Sequence, residues 1–482
     1  MVGEHEGGAS TMTEFAEATQ VQVQPWAPAV PFTDDALARA WADSKDPVDF
    51  FGRVGGLQAM KLGMSVAVMG PLARGTDGRI WRYRNGVYVP DGPGEDTIRD
   101  RAVALLKDSY RPGHATVARD VAMSCIPGIS CEPIGHLINL PNGLLDWSTG
   151  AWYHHSPDIL STVQLAVPWE PAATCPAFDA WLPQVVPPDC IELVWELISY
   201  LCYSGNPLHT AVMLLGGGRN GKGTLLRVIE ALLGKANITS VSLHDLVNTR
   251  FRTAQLFGKL ANIAGDIDAA YIENTAVFKA ITGGDLVQGE HKNKDPFDFT
   301  PWAVPVFSAN AVPPSADTTA GYMSRWLVIP FPVSFAGRED RAIEPRLHAE
   351  LPGILAKALR YLPALLARGQ FALADSARGA KAEFERRVDQ VRYWVSECCE
   401  CGDYPPVNRN ELYQAYRRVV QRDGGKPVKA AEFYDRLAGA GFHPGRIGNG
   451  TRVFSGLKVI DDGWNVQPGS AASSRYVAET DR

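Results

Sequence analysis

The sequence predicts an α/β protein: a mostly parallel core, an α+β domain ahead of it and a winged-helix-like domain behind it. Three observations carry that expectation. An apolar run, Ala211 to Leu215, enters the glycine-rich turn Gly216-Gly217-Gly218-Arg219-Asn220-Gly221-Lys222-Gly223-Thr224 and leaves it in a helical pattern of Leu225, Leu226, Val228, Ile229 and Leu232. Two later apolar segments, Leu260 to Gly265 and Ala303 to Ala309, end in polar residues with helical stretches between them, the alternation that a parallel sheet requires. Near the C-terminus two amphipathic helical patterns precede a glycine turn flanked by Arg446 and Arg452.

The first of these organises the rest. Glycines let the backbone curl and aim successive N–H groups inward, and the helix that follows presents its positive end to an anion. Gly216 to Thr224 therefore reads as a phosphate-binding loop (P-loop), with Lys222 reaching the β- and γ-phosphates. The usual pattern places Ser or Thr directly after the lysine, whereas Gly223 stands there in this chain. Thr224 is the nearest hydroxyl and the candidate magnesium ligand, but one helical step is a rotation of roughly 100°. Acidic side chains and water are expected to share that role.

Composition sets the bounds. A chain of 482 residues suggests about three domains, and 45% hydrophobic with 21% charged residues belongs to ordinary globular protein. The net charge of −6 is uneven: residues 1–50 carry nine acids against Arg39 and Lys45, while residues 376–460 hold fifteen Lys or Arg against ten Asp or Glu. That basic C-terminal part suits a polyanion. The N-terminus shows no basic stretch leading into an apolar segment, and the best apolar run, Ile354 to Leu366, is broken by Lys357, Arg360 and Pro363. Neither a secretory signal nor a membrane span is expected, and the eight cysteines fit a reducing cytoplasm. Cys398 and Cys401 have the spacing of half a zinc site, with no second pair to complete it.

Along the chain, residues 1–32 read as a disordered acidic tail and 33–205 as the α+β domain. A capped helix starts at Thr33; Asn85-Gly86 joins two short strands in a two-residue hairpin; Thr97 to Leu106 returns to helical spacing. Short alternating segments around Leu140, Leu144 and Trp152 precede a proline-marked irregular connector, Pro168 to Pro188, and a buried helix from Ile191 to Tyr203. The core with its helical extension spans 206–395, the winged-helix-like domain 396–462 and a flexible tail 463–482.

Chemistry concentrates at the strand ends of the core. The segment Leu260 to Gly265 runs into Asp266-Ile267-Asp268, where a nucleotide-hydrolysing site needs an acid to orient magnesium and polarise water; Asp266 is the first choice and Asp268 the second. Asn310 ends the next segment, and its amide can bond both a γ-phosphate oxygen and the attacking water. Between them, Phe278 to Asp285 ends a helix in Gly283-Gly284, and a basic hairpin follows with Lys292 and Lys294 at its tip. Arg325 sits just before the strand Leu327 to Phe331, at the boundary of the core.

This set, in this order, resembles the superfamily 3 helicase module of phage and plasmid primase-helicases, the group that includes satellite-phage and poxvirus replication proteins. The residues carrying it are Gly216 to Thr224, Asp266, Thr282-Gly283-Gly284-Asp285, Lys294, Asn310 and Arg325 to Phe331. Upstream, Trp81 to Tyr88, Asn142 to Asp146, His155-Ser156-Pro157-Asp158 and Pro176 to Leu182 resemble the domain that precedes that helicase; downstream, Leu351 to Leu355 matches too. The resemblance covers roughly residues 75–460. It implies an AAA+-like P-loop ATPase core using ATP and Mg²⁺, and a ring, usually a hexamer, on single-stranded and forked DNA in a bacterial host cytoplasm. ATP would lie between subunits, with Arg325 completing the neighbour's site and the hairpins meeting the threaded strand. Only some 75 residues precede the resemblance, too few for a primase domain of its own, so a separate primase or initiator is the expected partner.

The C-terminal pattern agrees from its own residues. Arg409 to Arg422 forms one amphipathic helix and Val428 to Leu437 a second, followed by the basic turn. Lys429 and Arg436 on the second helix, with Arg446 and Arg452 on the hairpin, are the candidate DNA contacts. The expected activity is ATP-driven DNA unwinding. An ATP-regulated initiator or adaptor without robust unwinding is the alternative, and a P-loop kinase a more distant one.

Overall fold

A computed structural model of the chain describes residues 34–248, 250–265, 267, 271–290, 295–422, 426–448 and 450–461. The two expected tails, Asp266, Asp268, Lys292 and Lys294 lie outside the described residues.

The first ordered unit has its own small core. Helices Asp34–Asp43, Ala59–Val68, Thr97–Leu106 and Pro112–Cys125 bury Leu62, Val66, Ile98, Leu105, Ala118 and Ala122 together. Beside them a four-stranded sheet includes Ile80–Arg84 paired antiparallel with Val87–Pro90. Their turn is the expected one: Asn85 and Gly86 take φ of 49° and 91°, the left-handed pair whose twist matches the flanking strands. A three-stranded antiparallel sheet follows, Leu137–Leu140, Gly143–Asp146 and Trp152–Tyr153.

The proline-marked stretch after it departs from expectation. Pro176–Val185 is a helix rather than an irregular connector. Phe178, Trp181, Leu182 and Val185 recur at helical spacing and are buried, Pro176 suits the first turn, and burial of that stripe outweighs Pro183 inside the last turn. Glu350, far along the chain, caps this helix by accepting from the N–H groups of Ala177 and Phe178 at 2.9 and 3.0 Å.

The core sheet has five parallel strands: β1 Ala211–Leu215, β2 Ile238–Thr239, β3 Ala261–Ala264, β4 Val304–Ala309 and β5 Trp326–Pro330. Their order in space is β5-β1-β4-β3-β2, so β1 lies between two later strands. Alternation divides the strands between two layers. Val212, Leu214, Val306 and Ile329 face one core, shared with helices Ile191–Cys202, Lys222–Leu233 and Leu351–Ala358. Ala211, Met213, Phe307 and Val328 face the other, with Phe278, Trp326 and Phe384. The first of these cores takes in buried residues from Ile138 to Ala377, on both sides of residue 205.

A third cluster forms behind Val391. Helices Gln390–Cys398, Arg409–Arg422 and Ala430–Gly439 pack with a three-stranded sheet in which Thr451–Ser455 lies between Val407–Asn408 and His443–Ile447. Among the described residues no helix is long and apolar enough to cross a membrane. No group of three metal-ligating side chains occurs among them either, the Cys398 region included.

His155 locks the first sheet to the second. Its Nε2 lies 2.8 Å from the Leu140 carbonyl and 3.0 Å from Asn139 Oδ1, and its ring lies so close to Gly86 that a Cβ there would come within 2.5 Å. Burial holds its pKa below the ordinary imidazole value. The folded chain therefore binds fewer protons than the unfolded one, and this stability is present above the unfolded pKa and lost as pH falls. Urea midpoints should drop below about pH 6.5, with a slope of at most about 1.4 kcal/mol per pH unit. His155→Gln should flatten that slope, read by denaturation at several pH values.

Candidate functional site

The glycine-rich turn sits at the carboxyl edge of the parallel sheet, between β1 and the helix Lys222–Leu233. Three features shape it. Gly216 tolerates no side chain, because a Cβ would come within 2.1 Å of Asn220 Nδ2 and 2.4 Å of the Phe331 carbonyl. Gly218 and Gly221 take φ of 92° and 90°, and Arg219 between them takes 48°, a run of left-handed residues that turns the chain back on itself. Gly221 begins the helix without any side-chain cap, so the first-turn N–H groups are left for another acceptor.

Asn220 is the internal brace of the turn. It is 3% exposed, its Nδ2 donates to the Phe331 carbonyl at 3.1 Å, and its Oδ1 accepts from Lys222 Nζ at 3.2 Å. Lys222 Nζ also donates to the Gly216 carbonyl and, at 3.2 Å, to Asn310 Oδ1. The lysine expected to meet phosphate and the amide expected to sense it therefore come together, although 88 positions separate them. Parallel pairing of β1 with β4, Leu215 opposite Ala309, is what brings them to one edge.

The turn rests on an element that reads in the sequence as part of an irregular connector. A Cβ on Gly221 would meet Val185 Cγ1 at 2.7 Å and the Trp181 ring at 3.3 Å, so the helix Pro176–Val185 packs directly beneath the first turn of the helix Lys222–Leu233. The signal was present in the Phe178, Trp181, Leu182, Val185 spacing, but the prolines around it masked it.

Other expected residues fall elsewhere. Thr224 Oγ1 accepts from Arg227 Nη2 at 3.4 Å, and Arg227 Nε pairs with Glu344 at 2.7 Å, so its hydroxyl sits beside a guanidinium, an unfavourable neighbour for a divalent cation. The metal role expected of Thr224 finds no support in that placement. Arg219 is exposed and pairs with Glu339 at 2.7 Å. Gly217 has open space around it, and Gly223 lies against Arg227 on the outer face of the helix.

Arg325 lies at the opposite edge of the sheet. Trp326 pairs with Ala211 at the start of β1, so Arg325 and Gly216 are about six residues apart along the strands, roughly 20 Å. Its Nη1 donates to the Gly321 carbonyl, its Nε is buried without a hydrogen-bond partner among the described residues, and Nη2 lies beside Gly283, 3.5 Å from where a Cβ would stand.

In the C-terminal part the candidates divide. Arg446 and Arg452 are exposed and directly opposite on neighbouring antiparallel strands, and Lys429 is exposed at the start of its helix. Arg436 is not available to DNA: its side chain is 12% exposed and bonds Asp389, Glu432 and the Ala316 carbonyl, because that face of the helix packs on the core. The outward face of the same helix shows Ala431, Asp435 and Ala438.

The glycine cradle, uncapped amides and buried lysine offer the donors that a polyphosphate needs, and two stretches of the chain match known families. Residues 134–187 match the D5 N terminal like family. Residues 214–325 match a family of unknown function, DUF5906. The two stretches meet in space where Val185 touches Gly221. A putative helicase of Acanthamoeba polyphaga mimivirus, L207/L206, is 26% identical over 242 residues, covering 47% of this chain; the chain spans 25% of that protein. Among solved structures, two of the apo NrS-1 C-terminal region cover 86% and 84% of this chain and 100% and 99% of their own, at 11% and 10% identity, each with a TM-score of 0.48.

Asn220 offers a direct check on the brace. Asn220→Ala leaves the buried Phe331 carbonyl without its donor and removes one acceptor from Lys222, so unfolding free energy should fall by about 1–3 kcal/mol. Chemical denaturation of both proteins measures it.

Proposed function

We propose that this chain is an ATP-driven DNA helicase of phage or viral replication, of the superfamily 3 type, acting as a homo-oligomeric ring on single-stranded and forked DNA. One observation carries the reading: Lys222 and Asn310 meet at the carboxyl edge of the sheet while Arg325 stands at the opposite edge, too far to serve its own chain's turn. A parallel sheet of order β5-β1-β4-β3-β2 with a glycine-rich turn after β1 supports a P-loop ATPase core of AAA+ type. The D5 N terminal like stretch and the putative-helicase relative support the replication context.

In this reading the first-turn amides of the helix Lys222–Leu233 and Lys222 itself hold the phosphates. Asn310 places the attacking water, and Asp266 or Asp268 draws its proton and orients magnesium. Bound Mg²⁺-ATP would supply the leaving group and the charge that this arrangement offsets. Arg325 acts on the neighbouring subunit's phosphates. The three-stranded hairpin domain, with Arg446 and Arg452, is a winged helix contributing backbone contacts to DNA.

The test is complementation between two inactive variants. Lys222→Ala removes the charge that meets the phosphates, and Arg325→Ala removes a finger typically worth about 10³–10⁵ in rate. Each alone should turn over almost no ATP, and mixtures should recover part of the activity, because some interfaces pair an intact turn with an intact finger. If mixed oligomers form, shown by mass, and no ratio restores turnover, Arg325 does not act in trans.

A further inference from the structure

The loop that follows Asn310 is held from both sides. Ile272 N donates to the Pro314 carbonyl and Ala316 N to the Ile272 carbonyl, each at 2.9 Å, which lays 314–316 alongside the segment leading from β3. Ser315, fully buried, donates its N–H to the Val388 carbonyl at 3.2 Å. Asp317 accepts from Lys279 Nζ at 2.8 Å and from Thr275 and Thr319, which together hold its carboxyl below the usual range against the effect of burial. Pro313 and Pro314 stiffen the short path from Asn310 to this anchor.

The Ala316 carbonyl of this loop is met by a side chain from the C-terminal domain. Arg436 Nη2 donates to Ala316 O at 2.8 Å and pairs with Glu432 at 2.6 Å; its Nη1 reaches Asp389 Oδ1 at 3.2 Å. Asp389 in turn accepts from Val391 N and Arg392 N, capping the first helix of that domain. One guanidinium thus ties three pieces together: the third helix of the hairpin domain, Ala430–Gly439, the cap of its first helix, Gln390–Cys398, and the loop six residues beyond Asn310. Lys426, from the same domain, pairs with Glu273 on the β3 side of the loop.

We propose that Arg436 is a positioning residue of the nucleotide site: by fixing the Ala316 carbonyl it holds the 310–317 loop, and with it Asn310, so that the seating of the C-terminal domain sets the geometry opposite Lys222. The proposal rests on the nucleotide-hydrolysing reading of that site. It gives the helix Ala430–Gly439 a partner within the chain, in place of a DNA groove, and leaves Lys429, Arg446 and Arg452 as exposed basic residues of the domain.

The experiment uses the full chain with Arg436→Ala, Arg436→Lys and Asp389→Asn. In Arg436→Ala, amide exchange in a peptide covering 310–319 should quicken several-fold without any nucleotide, because the loop loses its outer hold. Turnover at saturating ATP should fall about tenfold or more while KM moves little, since a shift at Asn310 affects alignment more than phosphate capture. The salt slope of single-strand binding should not change, as no phosphate contact is lost. Arg436→Lys should lie between, because one ammonium cannot bridge Ala316 O and Asp389 together; Asp389→Asn keeps the case testable if Arg436→Ala does not fold. Unchanged exchange in 310–319 overturns the proposal, and a salt slope lowered by about one returns Arg436 to DNA. If the wild type turns over no ATP, the nucleotide reading fails, and the exchange comparison still decides whether Arg436 holds the loop.

Discussion

Burying the ammonium of Lys222 at the carboxyl edge of the sheet is the constraint on which the rest depends. A lysine that is 4% exposed must have oxygens around it, and among the described residues the Gly216 carbonyl, Asn220 and Asn310 supply them. Each acceptor imposes its own condition. Gly216 must lack a Cβ, Asn220 must reach across to Phe331 beyond β5, and β4 must lie next to β1 to deliver Asn310. The sheet order is therefore tied to the chemistry of one side chain as much as to hydrophobic packing.

Support for that edge comes from parts of the chain that a sequence reading separates. The helix Pro176–Val185 lies under Gly221, and Glu350 caps that helix, so segments before and after β1 and β4 both brace the glycine-rich turn. On the far side, Arg436 and Lys426 bring the C-terminal domain onto the loops that follow β3 and β4.

Much of this was legible in the residues. Asn85-Gly86 gives the hairpin because few other pairs accept two positive φ values, and Gly216 to Lys222 gives the turn for the same reason. Gly284 ends the helix Ala276–Gly283 in the left-handed conformation its position suggested. Prolines misled at Pro176–Val185, where a buried aromatic stripe outweighed them. Arg436 misled in another way. A basic residue on an amphipathic helix reads as solvent-facing, and only the packing of Ala430–Gly439 on the core reveals the carbonyl and carboxylates waiting for it. Thr224 could not be judged from spacing, since what decides its hydroxyl is Arg227, one turn further along the helix.

The central claim is that two edges of one sheet serve two different active sites in a ring. The most direct measurement is ATP turnover with and without single-stranded DNA, made on material whose mass in solution is determined in the same buffer. The account predicts turnover that rises with DNA and resides in an oligomeric fraction, with little in monomer. Full turnover by a monomer, indifferent to DNA, would contradict it.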